Sequence, residues 1–116
     1  MLRISNPLGD IIVHDEVIAR LVGFNAMSCY GVAGMAAKNV KDNIIALIKS
    51  EDLERGVVIK TEGDTISIWI HIIVIYGVNI PAISESIVHK VKYSLEKATG
   101  FVVDDIHVMV DSMKMN

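Results

Sequence analysis

The longest regular pattern in the chain is Thr65-Ile-Ser-Ile-Trp-Ile-His-Ile-Ile-Val-Ile-Tyr76, a run rich in β-branched residues and closed by Gly77. Side chains alternate between the two faces of a strand, so Ile66, Ile68, Ile70, Ile72, Val74 and Tyr76 make one apolar row that other parts of the chain must cover. The other row, Thr65, Ser67, Trp69, His71, Ile73 and Ile75, begins polar and ends apolar, an unusual pattern for a solvated face. A second strand, Val57–Thr61, joins the first through Glu62-Gly63-Asp64, a tight hairpin with a glycine available for positive φ. Beyond Gly77 the spacing becomes helical. Ile83, Ile87, Val91, Leu95 and Ala98 share one side of a helix over Ile80–Thr99, with Asn79 as its cap, Pro81 in its first turn and Gly100 at its end. That crossover makes the last strand, Phe101–Val110, parallel to Thr65–Tyr76.

Upstream, Gly9–Val13 reads as a brief edge strand. Asp15 caps a helix that reaches Met27 and carries the stripe Val17, Ile18, Leu21 and Val22. Gly31-Val32-Ala33-Gly34 then forms a sharp corner into more helix-forming sequence, Met35–Val40 and Asn43–Lys49, where Val40, Ile44, Leu47 and Ile48 repeat the stripe. Ser50–Gly56 is charged, ends in glycine and reads as a surface connection. The predicted order is β-α-α-β-β-α-β within a single domain over residues 1–116. That is an α+β fold with one mixed sheet of three long strands, a short N-terminal edge strand and about three helices packed on one face.

With the helices on the Ile66–Ile72 row, Ile106, Val108 and Val110 of the last strand point inward. The opposite sheet face gathers Trp69, His71, Ile73, Ile75, Val103, His107 and Met109, and these are the predicted partner-binding residues. Burying Trp69, Ile73, Ile75 and Met109 in a partner would release on the order of 1.5–3 kcal/mol per side chain before entropic costs.

Composition strengthens that picture. The chain has 116 residues, 52% of them hydrophobic, with a mean hydropathy of +0.46. A domain of this size needs less apolar surface for its own core, so the surplus points to an interface and to a homo-oligomer, a protein partner or both. The longest nearly apolar run, Ile66–Ile80, is interrupted by Ser67, His71, Gly77 and Asn79 and is shorter than the roughly 20 residues a spanning helix needs. The first residues lack the apolar core and cleavage site of a secretory signal. We therefore expect a cytoplasmic location and no direct membrane insertion. Cys29 is the only cysteine, which excludes an intrachain disulfide. A net charge of −3 and a pI of 5.7 argue against a generic nucleic-acid binder, which carries basic excess.

The candidate chemistry is sparse. Gly31-Val32-Ala33-Gly34 resembles the GxxG loop of K-homology RNA-binding domains, but no cation follows it until Lys38; a helix corner is the preferred reading and RNA binding the alternative. His71, His107 and Asp105 would meet a metal only if the strand register joined them, and histidines in a polar interface patch are the simpler account. Cys29 reads as a buried thiol. No phosphate loop, dinucleotide fingerprint or carboxylate pair is present, so the sequence predicts no enzyme activity, no cofactor, no metal and no small-molecule substrate.

Gly9-x-Ile near the start, Tyr30-Gly-Val-Ala-Gly34, Gly56-Val-Val-Ile, the run Ile73-Val-Ile-Tyr-Gly77-Val-Asn-Ile80, and Gly100-x-x-Val-x-x-Ile-x-Val together resemble the alkaline shock protein family of Gram-positive bacteria. The resemblance covers nearly the whole chain. It implies a small cytosolic α+β protein without known catalytic activity, linked to cell-envelope or general stress. Some members are held near the membrane by a separate anchoring protein, which the resemblance adds to the expected partners. The chain looks like the compact housekeeping type, without the long charged tails of other members.

Overall fold

The architecture follows from one strand that needs hydrogen-bond partners along both edges. In the computed structural model, which describes residues 1–39, 44–47 and 50–115, Thr65–Ile75 forms the central strand β6. The elements before it are β1 (Leu2–Asn6), β2 (Gly9–Val13), α1 (Asp15–Met27), β3 (Val32–Asn39), β4 (Ile44–Leu47), a 3-10 helix (Ser50–Gly56) and β5 (Val57–Glu62). After it come α2 (Ile80–Thr99) and β7 (Val102–Lys114). One edge of β6 is filled by β7, parallel, from Thr65 to Ile75. The other is shared end to end by β5 opposite Thr65–Ile70 and β3 opposite Ile72–Val74, both antiparallel, with β4 beyond β3.

The turn chemistry is legible. Gly63 has φ 57° in the β5–β6 hairpin, and Gly100 has φ 75° as the left-handed cap of α2. Asn79 Oδ1 accepts from the Ala82 amide at 3.1 Å, and Pro81 sits in the first turn, as the sequence predicts. On α1 the cap position is His14, which makes no side-chain cap bond, and the expected cap Asp15 is the first helical residue.

Ile66, Ile68, Ile70, Ile72 and Val74 are fully buried beneath α1 (Ile18, Ala19, Val22, Ala26) and α2 (Ile83, Ile87, Val91, Leu95). Removing each such side chain from water contributes about 1.5–3 kcal/mol, which makes this row the core of the fold. Ile106, Val108 and Val110 pack against it, as expected. Gly23 lets α1 lie on the 3-10 helix: a Cβ there would stand 2.9 Å from Leu53 Cβ and 3.0 Å from its carbonyl oxygen.

Four further expectations about the elements need correction, besides the cap. The helix expected over Met35–Val40 and Asn43–Lys49 is absent from the described part of that stretch, where Val32–Asn39 and Ile44–Leu47 are strands; Val40, Asn43, Ile48 and Lys49 lie outside the described residues. The cause is tertiary: β5 stops opposite Ile70, so the backbone of Ile72–Val74 needs another partner, and that demand overrides the helix preference of Met35-Ala-Ala. Gly31–Gly34 is consequently no corner between helices. Gly31, at φ 90°, lies under α2, where a Cβ would meet Ile83 Cδ1 at 2.5 Å, and Val32–Gly34 opens β3 with a bulge. The protruding loop that the RNA reading requires is therefore replaced by sheet. Gly9–Val13 is not an edge of the main sheet; it pairs with Leu2–Asn6 in a separate two-stranded ribbon. Finally, Tyr76 leaves the core row and is exposed, as is Ala98 at the end of α2.

Candidate functional site

Strand alternation and two bulges decide which side chains reach the sheet face opposite the helices. From β6 come Ser67, Trp69, His71, Ile73 and Ile75. β5 adds Val58, which is paired with Trp69, and Lys60, which is paired with Ser67. β7 adds Asp105, His107 and Met109, opposite Ser67, Trp69 and His71.

Of the seven predicted partner-binding residues, Trp69, His71, Ile75, His107 and Met109 do share this face. Val103 does not. It pairs with Ile66, is 3% exposed and belongs to the core. An irregularity between the Ile66 and Ser67 pairs inserts Asp104 as an extra residue, so the alternation that would have turned Val103 outward is reset there. Ile73 lies on the face row but is 7% exposed, so it is less available than its neighbours. Met109 is 43% and Val58 53% exposed, which makes them the accessible apolar groups beside the half-buried Trp69.

The polar groups on this face are tied to one another. The Trp69 and His107 rings stack with centroids 5.2 Å apart and 16° between planes. His107 donates from Nε2 to Asp105 Oδ2 at 2.9 Å, and the Ser67 hydroxyl donates to the same carboxylate. These two donors, Ser67 first and His107 second, hold the Asp105 carboxyl below its ordinary range. His71 Nδ1 donates to Asp111 Oδ2 at 2.9 Å, across a second irregularity that inserts Asp111 after Val110. Asp105 thus pairs with His107 while His71 pairs with Asp111, and no group of three or more metal-ligating side chains occurs among the described residues. A small hollow of about 120 Å³ beside Trp69 on this face is lined by Lys60, Glu62, Thr65, Ser67 and Asp104.

The residues of the alternative RNA reading, Gly31, Val32, Ala33 and Gly34, contribute to β3 and its entry. Cys29 is buried, as expected, and lies 3.6 Å from the Asn25 carbonyl oxygen and 3.8 Å from Ser86 Oγ.

Sequence reasoning missed a second apolar surface on α1. Val17, Leu21 and Phe24 are spaced i, i+4, i+7 and line a groove of about 580 Å³ with His14, Glu16 and Arg20. Phe24 is 67% exposed and Val17 is also exposed, while Ile18 and Val22 point to the core. The available signal was the width of the stripe. Apolar residues at 17, 18, 21, 22 and 24 cover more of the helix than one buried face requires.

A family model described as alkaline shock protein 23 family, cell envelope-related function, matches residues 3–115. The chain is 35% identical over 115 residues to uncharacterized protein YloU of Bacillus subtilis strain 168, covering 98% of this chain and 96% of that one. It is 36% identical over 115 residues to uncharacterized protein Spy1614 of Streptococcus pyogenes serotype M6, covering 98% and 95%. A third relative, uncharacterized protein YqhY of Bacillus subtilis strain 168, is 25% identical over 103 residues, which is 89% of this chain and 76% of that one. No solved structure matches. Among the described residues no helix is long and apolar enough to cross a membrane. With the family pattern spanning both the helix-covered core and the open sheet face, the chain belongs to the alkaline shock protein family, whose function is cell envelope-related.

Proposed function

We propose that the protein is a non-enzymatic scaffold or adaptor in cell-envelope or general stress homeostasis, working in the cytoplasm and docking another protein, itself included, through the open sheet face. The observation that carries this reading is the face itself, where Trp69, Met109 and Val58 present apolar surface while His107 is paired with Asp105 and His71 with Asp111 beside them. A surface whose hydrogen bonds are satisfied within the chain loses little on desolvation, so its apolar area counts more fully toward association. A membrane-anchoring protein is one partner consistent with the family's link to the envelope.

Val58→Glu tests the reading, because it places a charge opposite Trp69 at a position that is already half exposed. Multi-angle light scattering on the wild type should give a mass above that of one 12.7 kDa chain, and the variant should give a lower mass than the wild type with an unchanged melting temperature. A wild type that stays at the mass of one chain at high micromolar concentration removes the self-docking form of the proposal. Ile73→Glu is a poor probe, since at 7% exposure the charge would unfold the sheet.

A further inference from the structure

The open face ends at a strand with a free edge. β7 runs for 13 residues and pairs with β6 alone among the described strands. Long free edges invite pairing with another chain, and proteins that avoid it put unpaired charge along the edge. On β7, Asp105 is hydrogen-bonded by His107 and Asp111 by His71, so two of its carboxylates already have partners within the molecule, and Asp104 and Lys114 are left near its two ends. Near its start, the Val103 amide is taken by Glu96 Oε2 at 3.0 Å, so the free stretch begins just after it.

We propose that β7 pairs antiparallel with β7 of a second copy about a twofold axis at Met109, joining two sheets into one. The argument is register. The inserted residues Asp104 and Asp111 make the face positions of β7 run Asp104/Asp105, His107, Met109, Asp111/Ser112 and Lys114, while the helix-side positions between the two bulges and after them run Ile106, Val108, Val110 and Met113. A twofold axis at Met109 sets Met109 against its own copy, His107 against Asp111, and Lys114 against the Asp104/Asp105 pair of the second copy. On the helix side it sets Val108 against Val110 and Ile106 against the half-exposed Met113. Lys114 then faces carboxylates, His107 faces a carboxylate that can accept from it, and the apolar residues face one another. Moving the axis to Val108 instead places the Asp104/Asp105 pair against Asp111, like against like, which antiparallel neighbours do not tolerate. Of these two registers the charges favour the one centred on Met109, where the Met109 side chains of two copies become the centre of a continuous face. This pairing uses an edge, so it stands whether or not anything docks on the face.

Disulfide trapping tests it. Opposed Cβ atoms in an antiparallel pair are about 4.5–5.5 Å apart, close to what a disulfide spans. Met109→Cys should form a covalent dimer under mild oxidation several times faster than the exposed control Tyr93→Cys. His107→Cys mixed with Asp111→Cys should cross-link faster than either alone. By sedimentation, Lys114→Glu should weaken the dimer about tenfold, and adding Asp104→Lys should restore it. Met109→Cys no faster than Tyr93→Cys, or a dimer indifferent to Lys114→Glu, overturns the proposal. Trapping at Met109→Cys that survives Val58→Glu separates the edge from the face: the edge can hold where face docking fails, and the converse.

Discussion

The two rows of β6 alternate along one strand, yet they end in opposite states. Ile66, Ile68, Ile70, Ile72 and Val74 are sealed under two helices, while Trp69, His71 and Ile75 on the other side stay half buried with only side-chain neighbours for cover. On the sealed row the contributions are additive burial and close packing. On the open row the groups around Trp69 are tied to one another: Ser67 and His107 to Asp105, His71 to Asp111, and the Trp69 ring stacked on His107. The contrast teaches that exposed apolar area in this protein is accompanied by pre-satisfied polarity, the arrangement expected of a surface that must be stable in water and still lose water cheaply.

The sharpest way to break the comparison is one truncation on each row. Ile70→Ala, fully buried in the core cluster, should cost about 2–5 kcal/mol through lost burial and the cavity left behind. Trp69→Ala, though it removes more atoms, should cost less than Ile70→Ala, because its ring has a stacked histidine on one side and solvent around the rest. Urea unfolding of the two variants compares them directly. Equal costs would mean that the open row is as much a core as the sealed one.

A smaller effect comes from loosening the cover. Gly23→Ala gains roughly 1 kcal/mol of helix preference but must move Leu53, whose Cβ and carbonyl oxygen lie 2.9 and 3.0 Å from the new methyl. The backbone oxygen cannot yield as a side-chain tip would, so the net change should be destabilising by about 1–3 kcal/mol. Asn79→Ala removes the cap of α2, the other covering helix, and should cost about 1 kcal/mol. Neither change should alter Trp69 fluorescence in the folded protein, because neither reaches the open row.

What could be read in the sequence divides along the same line. The sealed row, both α-helices, the hairpin at Gly63 and the parallel β7 follow from local periodicity and turn residues, which act over a few positions. The family was legible for a related reason: its glycines and apolar runs recur in fixed order over the chain. The errors in the sheet come from long-range pairing. Val32–Asn39 became strand because the far end of β6 lacked a partner, and nothing within that segment signals that vacancy. Val103 turned inward because of a single inserted residue at Asp104, and such a bulge has no marker in Val102-Val-Asp-Asp105. Asp111 is the clearest loss. A tail reading that stops the strand at Val110 hides both its bond to His71 and four residues of free edge.

The smallest effect concerns pH and belongs to the open row alone. The Asp105 carboxyl is held below its ordinary range in the folded protein, first by the Ser67 hydroxyl and then by His107. A depressed folded-state value means that the unfolded chain takes up the proton first as pH falls. The stabilisation is therefore complete above the unfolded-state value and drains away as pH drops through the folded-state one. Asp105→Asn, which keeps the shape and loses the charge, should be slightly less stable than wild type at pH 7, and the gap should close below the ordinary aspartate range. Because the group is solvent-exposed, the difference will be small and will shrink in high salt. Urea midpoints of the pair at pH 7 and in acid measure it; a gap that widens in acid would mean that Asp105 is held by neutral hydrogen bonds, and that the open row is not organised around its charge.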